Sequence, residues 1–135
     1  MPTISRPRLA IAVDGSSTSN VILDYTINFD ELDRTLNLEF TEMVQLFGAD
    51  SGATGGDDRI SGGLLRDGLV RPNGQASVTR HVERRVSNNA LDEDDGVFGV
   101  GEGDEIYARV RLDATSPLFP QAIITRNSNE VSGRF

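Results

Sequence analysis

Alternation with a period of two limits what this chain can fold into more than any other feature. Val21, Leu23, Tyr25, Ile27 and Phe29 are apolar, while Ile22, Asp24, Thr26 and Asn28 between them are mostly polar. Side chains of an extended strand point alternately to opposite faces. This segment therefore predicts a strand with one face on a core and the other on solvent. The next run repeats the pattern: Leu36, Leu38, Phe40, Val44 and Leu46 share one parity, with Glu42 as the exception, and Asn37, Glu39, Thr41 and Gln45 lie opposite. Between the two runs, Asp30-Glu31-Leu32-Asp33-Arg34 reads as a short polar connecting loop.

A third strand is expected over Glu105–Leu112, with Ile106, Ala108, Val110 and Leu112 on one side and Tyr107, Arg109 and Arg111 on the other. Shorter strands are expected at Arg8–Val13, Ile60–Leu65, Ala122–Arg126 and Glu130–Phe135. Asp14-Gly15, Asp67-Gly68 and Asn73-Gly74 supply residues that tolerate positive φ, as tight turns require. Ala76–Val86 is ambiguous. Val78, Val82 and Val86 recur every four residues, yet a helix here would hold a threonine and three β-branched valines, which favours a strand. Its inward face would then include Arg80 and Arg84, each meeting an acidic side chain or reaching the sheet edge.

These segments predict one all-β domain over residues 1–135, an antiparallel β-sandwich of seven to nine strands. The kind expected is immunoglobulin/fibronectin III-like or jelly-roll. The stretch Asp104-Glu105-Ile106-Tyr107-Ala108-Arg109-Val110, with Ser128-Asn129-Glu130-Val131 after it, resembles the last two strands of fibronectin type III-like and immunoglobulin-like modules. The resemblance covers only this short part, and the tryptophan frequent in such modules is missing.

Composition removes several kinds of chemistry. With no cysteine, disulfides, thiolate nucleophiles and zinc–thiolate sites are excluded. All 13 basic residues are arginine, so Schiff-base lysine catalysis and a phosphate-loop lysine are excluded as well. A bias toward arginine codons accounts for this, and a lysine-free, aspartate-rich chain also suits high salt. The net charge of −8 argues against nucleic acid and anionic membranes as partners. The start of the chain has no apolar run after a basic segment, and no stretch approaches the ~20 apolar residues of a membrane helix.

Few residues could carry a reaction. His81 is the only histidine, so a serine–histidine–carboxylate device would have to use it. It lies in the valine-rich run on the side away from the valines, where a surface role is expected. A carboxylate pair for hydrolysis would need one carboxyl in an apolar pocket and a second close by; Glu39 and Glu42 lie in a strand, and Glu42 among Phe40 and Val44 could have a raised pKa, but it is one candidate without a partner. The competing reading of Glu42 is a strand edge or a bulge. Gly96-Val97-Phe98-Gly99-Val100-Gly101 leads into a strand, so it offers no helix N-terminus to a phosphate.

The acidic run Asp92-Glu93-Asp94-Asp95-Gly96 is the candidate metal site. Aligned on Gly96, an EF-hand loop would place Leu91 at its first ligand position, and leucine cannot ligate. An irregular calcium site drawing on Asp92, Asp94 and Asp95 is the remaining possibility. The alternative is a solvated loop answered by arginine, with Arg84-Arg85 close upstream. The expected role is non-enzymatic: a structural or protein-interaction module with a protein partner or self-assembly, and no required cofactor. A calcium-dependent binding module and a small carboxylate-based hydrolase are the other readings.

Overall fold

A computed structural model describes residues 1–13, 17–49, 58–91, 104–116 and 122–133. Antiparallel β-strands dominate, arranged in two sheets. The first is built on β3 (Thr18–Asn28), which pairs on one side with β6 (Ser77–Ser87). Its other side is shared end to end by β1 (Thr3–Ile4) and β2 (Arg8–Val13). The second sheet runs β5 (Asp58–Val70), β4 (Phe40–Gly48), β7 (Asp104–Ala114) and β8 (Ile123–Asn127). There β9 (Val131–Gly133) pairs with the start of β7. The chain thus crosses between sheets after β3, after β5 and again after β6.

The alternation read from the sequence decides which side of each strand is buried. Ser19, Val21, Leu23, Tyr25 and Ile27 of β3 face inward, as do Phe40, Val44 and Leu46 of β4 and Ile106, Ala108, Val110 and Leu112 of β7. Side chains from both sheets meet in one apolar core, joined by Val82 and Val86 of β6 and by Leu9, Ile60, Leu65 and Leu91. Leu38, expected in the core, is only partly buried. The Ala76–Val86 ambiguity resolves as strand, paired with β3 along its whole length.

Three local readings need correction. Residues 30–34 are not a plain loop: α1 (Glu31–Leu36) begins there. Asp30 Oδ1 accepts from the Asp33 amide at 2.8 Å, and Asp33 Oδ2 accepts from the Asp30 amide at 3.0 Å. This reciprocal cap satisfies two amides of the first turn, and Asn37 ends the helix in the left-handed region at φ 46°. β4 consequently starts at Phe40, and Leu36 remains exposed. The Asp67-Gly68 pair does not turn the chain; it lies inside β5, opposite Met43 and Glu42. Only Asn73-Gly74 makes the expected turn, with φ of 49° and 81°. Asp14-Gly15 lies outside the described residues.

A four-residue helix, α2 (Asn88–Leu91), follows β6 and drives Leu91 fully into the core. Polar stitches hold the sheets in register. Asn129 bonds both backbone groups of Leu9, accepting from its amide at 2.8 Å and donating to its carbonyl at 3.0 Å. Ser19 donates to Asn88 Oδ1 at 2.5 Å within the buried end of β3.

Candidate functional site

Glu42 neither marks a strand edge nor sits at a bulge. It stands on β4, an inner strand flanked by β5 and β7, and is completely buried. The irregularity of β4 falls further on, between Val44 and Phe47. An ionised carboxylate at such a place needs partners, because desolvation strongly disfavours an isolated charge. Arg80 supplies a two-pronged contact, donating Nε to Oε2 at 3.2 Å and Nη2 to Oε1 at 3.0 Å. Tyr25 donates its hydroxyl to Oε2. Arg66 brings Nε to 3.0 Å from Oε1, an ion-pair distance off hydrogen-bond alignment. Burial, reinforced by the Glu42 hydrogen bond, pushes the Tyr25 phenol upward and keeps it a donor.

This cluster joins four strands from two sheets: Tyr25 on β3, Glu42 on β4, Arg66 on β5 and Arg80 on β6. Arg80 sits opposite Tyr25 in the first sheet, and Arg66 sits opposite Val44 in the second. Gly68 leaves space beside it, since a Cβ there would lie 4.0 Å from Arg66 Nη2. Glu39 does not join Glu42: it lies on the other side of the chain, held by Arg71 Nη2 at 2.8 Å and Thr115 Oγ1 at 2.9 Å. The two glutamates therefore do not converge as a pair for hydrolysis. The sequence signal for the cluster was a glutamate at core parity facing an arginine at core parity. Arg66 had no such signal, because the irregular register of β5 turns it inward.

The outer face of the first sheet is polar. Arg8, Asp24 and His81 form one cross-strand row. His81 Nδ1 lies 2.5 Å from Asp24 Oδ1, and its Nε2 lies 3.6 Å from Glu83 Oε2. The bond to Asp24 is the main cause of a raised imidazole pKa. With carboxylates at both ring nitrogens, the protonated ring is favoured over the neutral one. An open groove of about 820 Å³ runs past Asp24 where β1 gives way to β2, lined also by Arg6, Arg8, Thr26 and Thr79.

The outer face of the second sheet differs in character. Its cross-strand rows read Leu69–Thr41–Asp113–Ile123, Asp67–Met43–Arg111–Thr125, Leu64–Gln45–Arg109–Asn127 and Arg59–Phe47–Tyr107. Leu64, Leu69 and Ile123 are about half exposed, at 49%, 59% and 53%. Phe47 and Tyr107 stack at 5.6 Å, and the Arg109 guanidinium lies 4.6 Å above the Phe47 ring. Tyr107, read from sequence as an outward residue, is thus outward yet buried. A cavity of about 230 Å³ opens among Met43, Gln45, Phe47, Arg59, Arg109 and Arg111, with Asp113 at its side.

The calcium candidates Asp92, Asp94 and Asp95 lie outside the described residues. Among the described residues, no three histidine or carboxylate groups come together as a metal site. No described helix is long and apolar enough to cross a membrane.

No family model matches the chain, and no curated protein is similar to it. A crystal structure of a protein from Archaeoglobus fulgidus is similar in fold, with a TM-score of 0.54 and 12% sequence identity. The similarity spans 98% of this chain and 99% of that one. At this identity it extends to the arrangement of the backbone and not to activity.

Proposed function

We propose that this chain is a non-enzymatic β-sandwich of the immunoglobulin/fibronectin III-like or jelly-roll kind that serves as a structural or protein-interaction module in a larger assembly. The observation that supports this reading is the outer face of the β5–β4–β7–β8 sheet. A sheet face turned to solvent ordinarily carries polar side chains, as the β2–β3–β6 face does. Here Leu64, Leu69 and Ile123 stand out from it at half exposure, with Met43 between the two leucines. Leu64 and Leu69 lie on β5 with Met43 beside them, and Ile123 stands on β8 across Thr41 and Asp113; exposed apolar side chains among charges on one sheet face fit a docking surface. The catalytic alternatives lack a convergent pair: Glu42 is fully engaged by Tyr25, Arg66 and Arg80, and both nitrogens of His81 face carboxylates.

The test is cross-linked affinity purification from the source cells with three proteins: the native chain, a Leu64→Asp/Leu69→Asp variant and a His81→Ala variant. The module reading expects a reproducible partner, or a second copy of the chain, with the native protein. It expects the same complex with His81→Ala and its loss with the leucine variant, both variants showing the native circular dichroism spectrum. Equal recovery with the leucine variant would remove this face from consideration.

A further inference from the structure

We propose that the cavity between Arg59, Arg109 and Arg111 is a carboxylate-binding cleft that receives acidic side chains from an extended segment of a partner polypeptide. This rests on the interaction-module reading and specifies the partner's chemistry. Among the described residues, Arg66, Arg71 and Arg80 each have a carboxylate within ion-pair distance, and so does Arg111, with Nε 2.8 Å from Asp113 Oδ1. Arg59 and Arg109 do not: among the described residues no carboxylate lies within ion-pair distance of either. Among the described residues the cavity wall therefore carries three guanidiniums against one carboxylate, on a molecule whose net charge is −8. Asp67, beside Met43, is the other acidic residue on the adjoining row.

Arg109 is held ready for a ligand rather than spent on the protein. Its Nε donates to Asn127 Oδ1 at 3.0 Å, its Nη2 reaches Tyr107 Oη at 3.4 Å, and its Cζ lies 4.6 Å from the Phe47 ring centroid. These neutral contacts fix the fork without cancelling its charge. A fixed guanidinium loses little freedom when it binds a carboxylate, and its planar donors match that group in two-pronged geometry. Gln45 and Met43 complete the floor, and Leu64 flanks the cavity on β5. A segment whose acidic side chains enter the cleft would lay its apolar side chains over Leu64 and Leu69.

The scale of the site selects the occupant. A cavity of about 230 Å³ accommodates one or two side-chain carboxylates, not a drug-sized molecule. Nucleic acid presents a continuous line of phosphates and needs a broad basic footprint, which a chain of net charge −8 lacks.

The probe is a fluorescein-labelled peptide amide of repeated Glu-Val-Glu-Ser units, read by fluorescence anisotropy at low ionic strength, beside the same peptide with glutamine for glutamate. The native chain should bind the glutamate peptide saturably, and salt should weaken the complex. Replacing Arg109 by glutamine should weaken it about tenfold, the loss of one charge-assisted hydrogen bond, and the all-glutamine peptide should bind at least that much more weakly. Arg59→Gln removes a side chain with no described partner, so it tests the cleft without disturbing the Phe47–Tyr107 stack. Arg126→Gln, on an exposed arginine of opposite parity on β8, should change nothing. Equal binding of the glutamine peptide, undiminished binding by the Arg59→Gln/Arg109→Gln variant, or no binding at all would overturn the cleft. Salt-sensitive dimers in sedimentation velocity, abolished by Arg109→Gln, would replace the partner polypeptide with a second copy and overturn it likewise. A cellular complex that survives Arg59→Gln/Arg109→Gln but not Leu64→Asp/Leu69→Asp would leave the module reading standing and remove only the cleft.

Discussion

Glu42 and His81 are the two titratable side chains whose surroundings are most specific, and they differ in what burial does to them. Glu42 has no contact with water, and its charge is answered by Arg80, Arg66 and Tyr25. Removing one partner of a buried ion pair leaves an uncompensated charge and costs about 3–5 kcal/mol. Glu42→Ala is expected near the lower end, because Arg66 and Arg80 keep some solvent contact, at 32% and 24% side-chain exposure. Urea unfolding measures the loss. Glu42→Leu combined with Arg80→Met should recover much of it, since buried ion pairs are often replaceable by apolar groups of similar volume. His81 is exposed, and its partners Asp24 and Glu83 raise its pKa above the ordinary 6.5. A group protonated more readily in the folded state stabilises that state at low pH. The contribution is fully present below pH 6.5 and is lost as pH rises through the folded value. The melting temperature of the native chain should accordingly fall more between pH 6 and pH 8.5 than that of His81→Gln. Identical pH profiles would mean that the Asp24 pairing is not maintained in solution.

Strand β5 shows how an element can obey the alternation rule and break it. From Phe40 to Val44 its partners run in regular register, Val70 to Arg66; beyond that, two shifts intervene before Phe47 meets Arg59. The shifts let Leu65 and Arg66, adjacent in sequence, both serve the interior, which a regular strand forbids. Glycine makes the bend possible. Gly62 takes φ +73°, in the left-handed region, and Gly63 packs so closely that a Cβ would lie 2.9 Å from the Ile60 carbonyl oxygen and 3.0 Å from Leu46 Cβ. Gly63→Ala should therefore destabilise the fold by about 1–3 kcal/mol, the range for overpacking a tight interior. Gly62→Ala should cost about 1–2 kcal/mol from backbone conformation alone, as nothing lies within 4 Å of the added methyl. Gly68→Ala, with only Arg66 Nη2 at 4.0 Å, should stay within about 0.5 kcal/mol of the native chain. Denaturant midpoints of the three variants check this ranking. An equal effect at all three would show that the bulge is not a tightly packed corner.

At the scale of the whole molecule, both sheets contribute to one core, and neither can keep its inward face dry without the other. Unfolding should thus be a single cooperative transition, with far-ultraviolet circular dichroism and tyrosine fluorescence (Tyr25 in the core, Tyr107 on the outer stack) giving coincident curves. Separate transitions for the two tyrosines would divide the chain into independent units. How much of this was legible beforehand follows from the range of the interactions. Alternation is a local rule, so β3, β4 from Phe40 onward, β6 and β7 could be assigned, with inward faces, from the residues alone. The capping box at Asp30 and Asp33 is local too and could have revealed α1, but the polar residues around it read equally well as a loop. The bulge in β5 was not legible, because the pull of the core on both Leu65 and Arg66 arises only once β4 lies alongside. Nor was the site. Glu42 stood out as a fault in an apolar pattern, and its meaning came from Arg80, 38 residues away, and Arg66, on a different strand. The arginine cleft needs β4, β5 and β7 side by side before Arg59, Arg109 and Arg111 share one wall. By itself the sequence determined an all-β chain and the buried side of its clearest strands, since both follow from which way neighbouring side chains point. The tertiary structure alone decided which charges meet, since each meeting joins strands distant along the chain through register and sheet packing.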